Sequence, residues 1–319
     1  MTDKIDLSIV VPCFNEQECL NEFHRRMTAA CMAAEISSYE IVYVNDCSTD
    51  RTLEVLLDLY RADSSTKVID LARNFGHQIA LSAGLSDAQG ELVLTIDADL
   101  QDPPELLSAM AQKIAGGADV VYATRDRRRG EGPLKRATAA IFYRVLSRIS
   151  GTPIAMDTGD FRLMRRNVVD VLVRLSEAHR FVRGLVSWVG FVQVPIHYDR
   201  DPRYAGVTKY PFAKMLGLSL DAITGFASTP LRFLFLGSIL GMGLAFVALG
   251  WTLYSLFFLN SVPGWASVMT VLLVFGSAQL FSIALIGEYV GRILIETKRR
   301  PLFVVRSKYP PSQNSTYPS

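Results

Sequence analysis

The chain has 319 residues, half of them hydrophobic, and a formal net charge of +2. At roughly 100–200 residues per domain this admits one or two domains, and a mean hydropathy of +0.22 is high for a wholly soluble protein. Cys13, Cys19, Cys31 and Cys47 form no CxxC pair, which excludes a zinc knuckle or disulfide framework and leaves reduced thiols of a cytosolic domain. The first six residues are polar, and the apolar run at 7–11 is too short for a secretory h-region.

Residues 7–12 read as a short apolar strand ended by Pro12, 15–34 as a helix and 39–45 as a second strand. Ser48-Thr49-Asp50 offers capping chemistry for a helix running to Tyr60. A third strand at 68–70, a helix at 76–88 and a buried strand at 92–96 follow. Pro103 and Pro104 open the next helix, where a missing N–H costs nothing, and 120–124 is a further strand. Strands alternating with helices predict a mostly parallel α/β sheet covered on both faces. In such sheets ligands bind beyond the carboxyl ends of the strands. Asn15, Glu16, Asp46, Asp97 and Asp99 all fall at or just after predicted strand ends, hence on one rim.

Asp97, Asp99 and Gln101 recur at spacing two, so an extended segment points them the same way. Hard oxygen ligands of this kind hold Mg²⁺ or Mn²⁺ against a nucleoside diphosphate, whose charge must be neutralised as a sugar leaves. Asp46 reads either as an acceptor for a nucleobase or ribose or as part of a capping turn. Asn15 and Glu16 either line the base or begin a helix.

Beyond the head the charge pattern changes. Arg125-Asp126-Arg127-Arg128-Arg129 precedes an apolar-rich helix at 134–149. With the later segment 211–226 it reads as an amphipathic, membrane-facing surface rather than a solvated charge run. No charged residue occurs between Arg232 and Glu288. Residues 233–259 and 266–287 each reach the roughly 20-residue length of a spanning helix, with Asn260-Ser261-Val262-Pro263-Gly264-Trp265 as the turn between them. Arg232 before the first span and Arg292, Lys298, Arg299 and Arg300 after the second put both ends in the cytoplasm. Glu288 and Arg292, four apart, are placed to pair near the interface. Gly237, Gly241 and Gly243 permit close helix approach within or between chains.

Val11-Pro12-Cys13-Phe14-Asn15-Glu16, Asn45-Asp46-Cys47-Ser48-Thr49-Asp50 and Asp97-Ala98-Asp99-Leu100-Gln101-Asp102-Pro103-Pro104 resemble the motifs of family 2 glycosyltransferases of GT-A (Rossmann-like) fold. With its two C-terminal spans, nearly the whole chain is similar to polyprenyl-phosphate glycosyltransferases, which include dolichol-phosphate mannose synthases and bactoprenol glucosyltransferases. The resemblance implies that Pro12, Asn15, Glu16, Asp46 and Asp97 line the nucleotide, and that Asp97, Asp99 and Gln101 serve metal and diphosphate. Asn45-Asp46-Cys47 departs from the family's usual Asp-Asp-Gly or Asp-Asp-Ser but keeps Asp46. Asp157-Thr158-Gly159-Asp160-Phe161-Arg162 resembles the family's acidic segment and implies Asp157 as a base, catalytic together with Asp99. Arg203-Tyr204-Ala205-Gly206-Val207-Thr208-Lys209-Tyr210 resembles the loop before the membrane helices, with Thr208 in place of Ser and Lys209 meeting a phosphate. Arg125, Lys135 and Arg136 join Lys209 as candidates for the acceptor phosphate. A phosphomonoester, with a second pKa near ~6, is already largely dianionic at neutral pH. Asp157 therefore reads equally as orienting a sugar hydroxyl, holding an arginine or balancing charge.

The expected organisation is a cytoplasmic GT-A head at 1–210, an amphipathic juxtamembrane helix at 211–230, a transmembrane helical hairpin at 231–291 and a cytoplasmic tail at 292–319, in the inner membrane. The resemblance implies inverting transfer of a hexose, glucose foremost, from a UDP-sugar to undecaprenyl or another polyprenyl phosphate. It also implies dependence on Mg²⁺ or Mn²⁺ and assembly as a homotetramer, with no nucleic-acid partner. A 4-amino-4-deoxy-L-arabinose or mannose donor is the alternative. A processive polysaccharide synthase would need more spans and a Gln-x-x-Arg-Trp segment, and an inactive membrane scaffold has no need for three metal-competent ligands.

Overall fold

Seven consecutive buried residues, Leu7–Cys13, make β1, and a similar run makes β2 (Tyr39–Asn45). Strands covered on both faces read as continuous apolar runs. Period two still sorts their side chains. Ile41 and Tyr43 enter one core with Leu20 and Phe23 of α1 (Leu20–Ala33) and Leu56 of α2 (Thr52–Ala62). Val42 and Val44 enter a second core with Ile69 and Leu71 of β3 (Thr66–Leu71) and Ala80 and Ala83 of α3 (His77–Asp87). Gly84 lets α3 lie close on the sheet, since a Cβ there would come within 2.3 Å of Val10 Cγ1.

The computed structural model describes residues 5–125, 158–175, 177, 180–198, 243, 247, 254 and 264–311. After β4 (Leu92–Thr95) come a 3₁₀ turn (Pro104–Leu106), α4 (Leu107–Ala115), β5 (Val120–Arg125), β6 (Thr158–Arg165), α5 (Arg166–Arg174), α6 (Val182–Trp188), β7 (Gln193–Tyr198), α7 (Trp265–Thr297) and β8 (Val305–Tyr309). The sheet order is β7-β5-β6-β4-β1-β2-β3-β8. Among the described strands, β6 and β8 run against the other six, so the sheet is mostly parallel, as expected.

β1 pairs in parallel with β2 on one side and β4 on the other. The chain therefore walks outward to β3, then returns across β1 to build β4. Strand order reverses at that point, and in doubly wound sheets the ligand crevice opens there. Pro12 lies at that reversal. Val10 and Pro12 present their backbone polar groups to the same side of β1, and the Val10 carbonyl accepts from Ile96 N–H at 3.2 Å on the β4 side. The β1–β4 register ends at Val10 and Thr95. The N–H that proline lacks would have faced β4 where the ladder has already stopped.

Several boundaries differ from the sequence reading. The helix read at 15–34 starts at Leu20, because the backbone N–H groups of Asn15 and Glu16 are used at the rim described below. The strand read at 68–70 runs over Thr66–Leu71. Thr158–Arg162, within the segment read as acidic, form the start of β6. Where only a tail was read at 292–319, the chain forms β8, antiparallel to β3.

The chain divides into two units, one comprising residues 1–148, 152–215 and 301–319 and the other 149–151 and 216–300. In the second, α7 contains Val274–Thr297, the one helix among the described residues long and apolar enough to cross a membrane, with a mean hydropathy of 1.4. It continues past 287, the end read from sequence, through positions 288 and 292. Of the first span read at 233–259, positions 243, 247 and 254 are described and helical. The rest of that span, positions 260–263 of its turn, and the segments 134–149 and 211–226 lie outside the described residues, while Trp265, read as the last residue of the turn, is the first of α7.

Candidate active site

The loops after β1 and β2 are stapled to each other. Asn15 N–H donates to Ser48 Oγ at 3.0 Å, and Glu16 N–H donates to Thr52 Oγ1 at 2.8 Å. Thr49 N–H donates to Asn15 Oδ1 at 2.8 Å, and Arg51 N–H to Gln17 Oε1 at 2.9 Å. Asp50 Oδ1 accepts from Thr52 N–H at 3.0 Å, but it stands one residue before the N-cap, Arg51, where no side chain caps the helix. Ser48 and Thr49 are instead spent between the loops. Asn15, Cys47 and Leu100 adopt φ of 57°, 55° and 58°. These are left-handed values uncommon outside glycine, and they follow the ends of β1, β2 and β4. Such strain concentrates at sites whose surroundings over-determine it.

Asp46 is buried at the end of β2. Its Oδ1 accepts from Phe75 N–H at 2.7 Å and its Oδ2 from Gly76 N–H at 2.8 Å. Gly76 has φ +94°, which a side chain would strain. Burial raises the Asp46 pKa more than those two N–H donors lower it. The carboxylate thus shapes the β3–α3 loop and keeps spare lone pairs for a ligand donor.

β4 delivers Asp97. Beyond it Ala98 and Asp99 turn, and buried Leu100 is drawn into the core in its left-handed conformation. The segment is therefore not the extended run that the alternate spacing assumed, because anchoring Leu100 bends the backbone. The turn is closed by Gln101 N–H donating to Asp99 Oδ1 at 3.1 Å. Asp102 Oδ1 accepts from the Tyr198 hydroxyl.

Behind Asp97 stands a charge network that the motifs did not single out. Asp160 of β6 is buried and receives Arg183 Nε and Nη2, each at 2.8 Å, and Gln78 Nε2 at 3.2 Å. His77 Nε2 lies 2.9 Å from Asp160 Oδ2 and 3.6 Å from Asp97 Oδ1. Burial opposes charge on His77, but Asp97 and Asp160 outweigh it and bring its pKa to about 9. Burial, helped by Asp160, Asp102 and Asp99, pushes Asp97 up to about 6 against the pull of His77. Burial also opposes charge on Asp160, yet Arg183 and His77 hold it well below the usual carboxylate range. No motif flags His77 or Arg183. The clue in the sequence is a histidine at the start of a helix that the topology carries to the rim.

A raised folded-state pKa stabilises the fold fully below the unfolded value, and that contribution is lost as pH rises through the folded value. The head is therefore expected to lose stability between pH 6.5 and about 9 through His77. His77→Gln should flatten that part of a melting-temperature profile against pH, whereas an unchanged slope would remove His77 from the network.

Pro12, Asn15, Glu16, Asp46, Asp97, Asp99 and Gln101 all lie at or beyond the carboxyl ends of β1, β2 and β4. Arg125 ends β5, in register with Tyr198. Lys135, Arg136, Asp157 and Lys209 lie outside the described residues. Among the described residues, no three His, Cys, Asp or Glu side chains are gathered as a metal site. Asp97 and Asp99 fit the other mode of holding a hard cation, in which one or two carboxylates are joined by substrate phosphates. Burial first, and the charges of Asp160, Asp102 and Asp99 after it, oppose charge on Asp97, and a cation there would favour it.

Residues 8–173 match Glycosyl transferase family 2. The glycosyltransferase YkcC of Bacillus subtilis (strain 168) is 47% identical over 310 residues, 97% of this chain and 96% of that one. The bactoprenol glucosyl transferase of Shigella phage SfV is 38% identical over 305 residues, covering 95% and 98%. Among solved structures, mannosyl-3-phosphoglycerate synthase from Rubrobacter xylanophilus aligns with a TM-score of 0.47 at 20% identity, over 72% of this chain and 74% of that one. The chain belongs to glycosyl transferase family 2, in its bactoprenol glucosyl transferase-like group, and its mixed, doubly wound sheet is the GT-A fold. It is a glycosyltransferase.

Proposed function

We propose that the protein transfers a hexose, glucose foremost, from a UDP-sugar to undecaprenyl or another polyprenyl phosphate at the cytoplasmic membrane face. The observation that carries this reading is the end-to-end similarity to a bactoprenol glucosyl transferase, over 95% of this chain and 98% of that one. It takes in both the acidic rim and α7. Leu280 and Phe281 of α7 are 70% and 66% exposed, apolar surface that lipid would cover. With 233–259 as a second span the protein is multi-pass, and it works as a homotetramer.

In this reading Pro12, Asn15, Glu16 and Asp46 surround the nucleoside, while Asp97, Asp99 and Gln101 face the diphosphate. A divalent cation, Mg²⁺ or Mn²⁺, held by Asp97 and Asp99 would neutralise charge on the departing diphosphate. The Arg183–Asp160–His77 network fixes Asp97 in place. A lipid phosphate oxygen attacks the anomeric carbon in line, the bond from that carbon to UDP breaks, and the configuration inverts. Arg125, Lys135, Arg136 and Lys209 are assigned to the acceptor phosphate. Asp157 is assigned to orienting the reactants or accepting a proton.

Two measurements test this. Cys13 and Cys31 are buried, and burial raises their thiol pKa values, that of Cys31 to about 12. Cys19 is buried as well, while Cys47 in the β2–α2 loop is half exposed. Alkylation of the folded protein is expected at Cys47 first, and UDP is expected to slow it. Equal labelling with and without saturating UDP would place the nucleotide elsewhere. Release of UDP that depends on polyprenyl phosphate, measured across a panel of UDP-sugars, then identifies the donor. UDP release that ignores the lipid would reject the acceptor.

A further inference from the structure

β8 follows α7 by a few residues and extends the head sheet along β3, with Asp70 opposite Ser307 and Leu71 opposite Val305. The pairing continues past the strand ends, where Ala72 N–H donates to the Val304 carbonyl at 2.9 Å. At this point Arg306 reaches across the rim. Its Nη1 lies 3.3 Å from Asp70 Oδ2, and its Nη2 donates to the Ala72 carbonyl at 2.8 Å and to Cys47 Sγ at 3.6 Å. Asp70 is 1% exposed and also accepts from Asn45 Nδ2 at 2.7 Å. One guanidinium therefore touches the β2–α2 loop, the β3–α3 loop and the buried carboxylate between their strands.

These are the loops that flank Asp46. Its carboxylate holds the β3–α3 loop from within through Phe75 and Gly76, and Asn74 Nδ2 returns to the Asp46 carbonyl at 3.2 Å. Arg306 and Val304 hold the same loop from without. We infer that Arg306 is a positioning residue for the nucleotide rim, so that donor binding depends on a strand supplied from beyond the membrane-type helix. The inference rests on the UDP-sugar reading given above. A planar fork with donors at fixed angles serves two acceptors at once, whereas a lysine supplies a single point charge.

That difference provides the test, on the full-length protein in detergent with UDP as probe. Arg306→Lys keeps a cation beside Asp70 but loses the fork, and is expected to retain the wild-type melting temperature while binding UDP about 5- to 10-fold more weakly. The KM for the UDP-sugar should rise by the same factor, with kcat and the KM for the lipid unchanged. Arg306→Ala should weaken UDP binding at least as much. Wild-type UDP affinity in Arg306→Lys would overturn the positioning role and leave Arg306 as charge balance for Asp70. Wild-type protein that does not bind UDP would instead overturn the donor reading itself.

Discussion

Asp99→Ala is expected to lower sugar transfer by about 10²–10³-fold, the usual cost of removing one group that stabilises charge developing on a leaving group. The fold should survive. Asp99 sits in a turn beyond β4, and it is one of the carboxylates that raise the Asp97 pKa, so its loss relieves like-charge pressure rather than breaking a core contact. Initial rates over a range of divalent cation concentrations separate the two roles of the site. Loss of rate with weaker apparent cation affinity supports Asp99 as a ligand. Full activity would remove it from the site. Asp97→Asn should be at least as damaging, and it carries an internal reporter. His77 loses one of the two carboxylates that hold its proton, so its pKa should fall from about 9 towards 6.5.

The second large effect is on stability. Arg183→Ala removes a two-pronged partner from a carboxylate that is 3% exposed. Breaking one side of a buried pair costs about 3–5 kcal/mol. Because the Arg183 side chain is itself 32% exposed and screened by water, the lower end, about 3 kcal/mol, is expected. Asp160→Asn combined with Arg183→Ala should be less destabilising than the two single changes added together, since the second change removes the charge stranded by the first. Denaturant unfolding of the four proteins measures this. Simple additivity would mean that Arg183 and Asp160 do not act as a pair.

What was legible in the sequence was what repeats locally. The apolar runs at β1, β2 and β4 announce strands covered on both faces, and the carboxylates that follow them announce a rim. The order of those strands is not local, yet it is the order 3-2-1-4 that places the reversal of strand order beside Pro12. Asn15 illustrates the limit. Polar residues just after a strand look like the start of a helix, but here the hydroxyls of Ser48 and Thr52 take up the N–H groups of Asn15 and Glu16, and α1 is delayed to Leu20. Asp160, His77 and Arg183 come from three separate elements, so no spacing along the chain links them. β8 reads as tail because its five residues carry a near-alternating mixture of charge and apolar groups, and its partner β3 lies more than two hundred positions earlier. The spacing of Asp97, Asp99 and Gln101 assumes an extended run, whereas a turn at Ala98 and Asp99 carries them, because the anchoring of Leu100 is not visible in the spacing.

The central claim is tested most directly by following a radiolabelled sugar. Full-length protein in detergent, undecaprenyl phosphate, Mg²⁺ or Mn²⁺ and a panel of UDP-sugars would be incubated, and the organic phase counted. Label is expected to enter the lipid from one UDP-sugar, UDP-glucose foremost, and to be abolished by EDTA. No lipid label from any sugar, with protein that still binds UDP, would contradict the polyprenyl-phosphate acceptor.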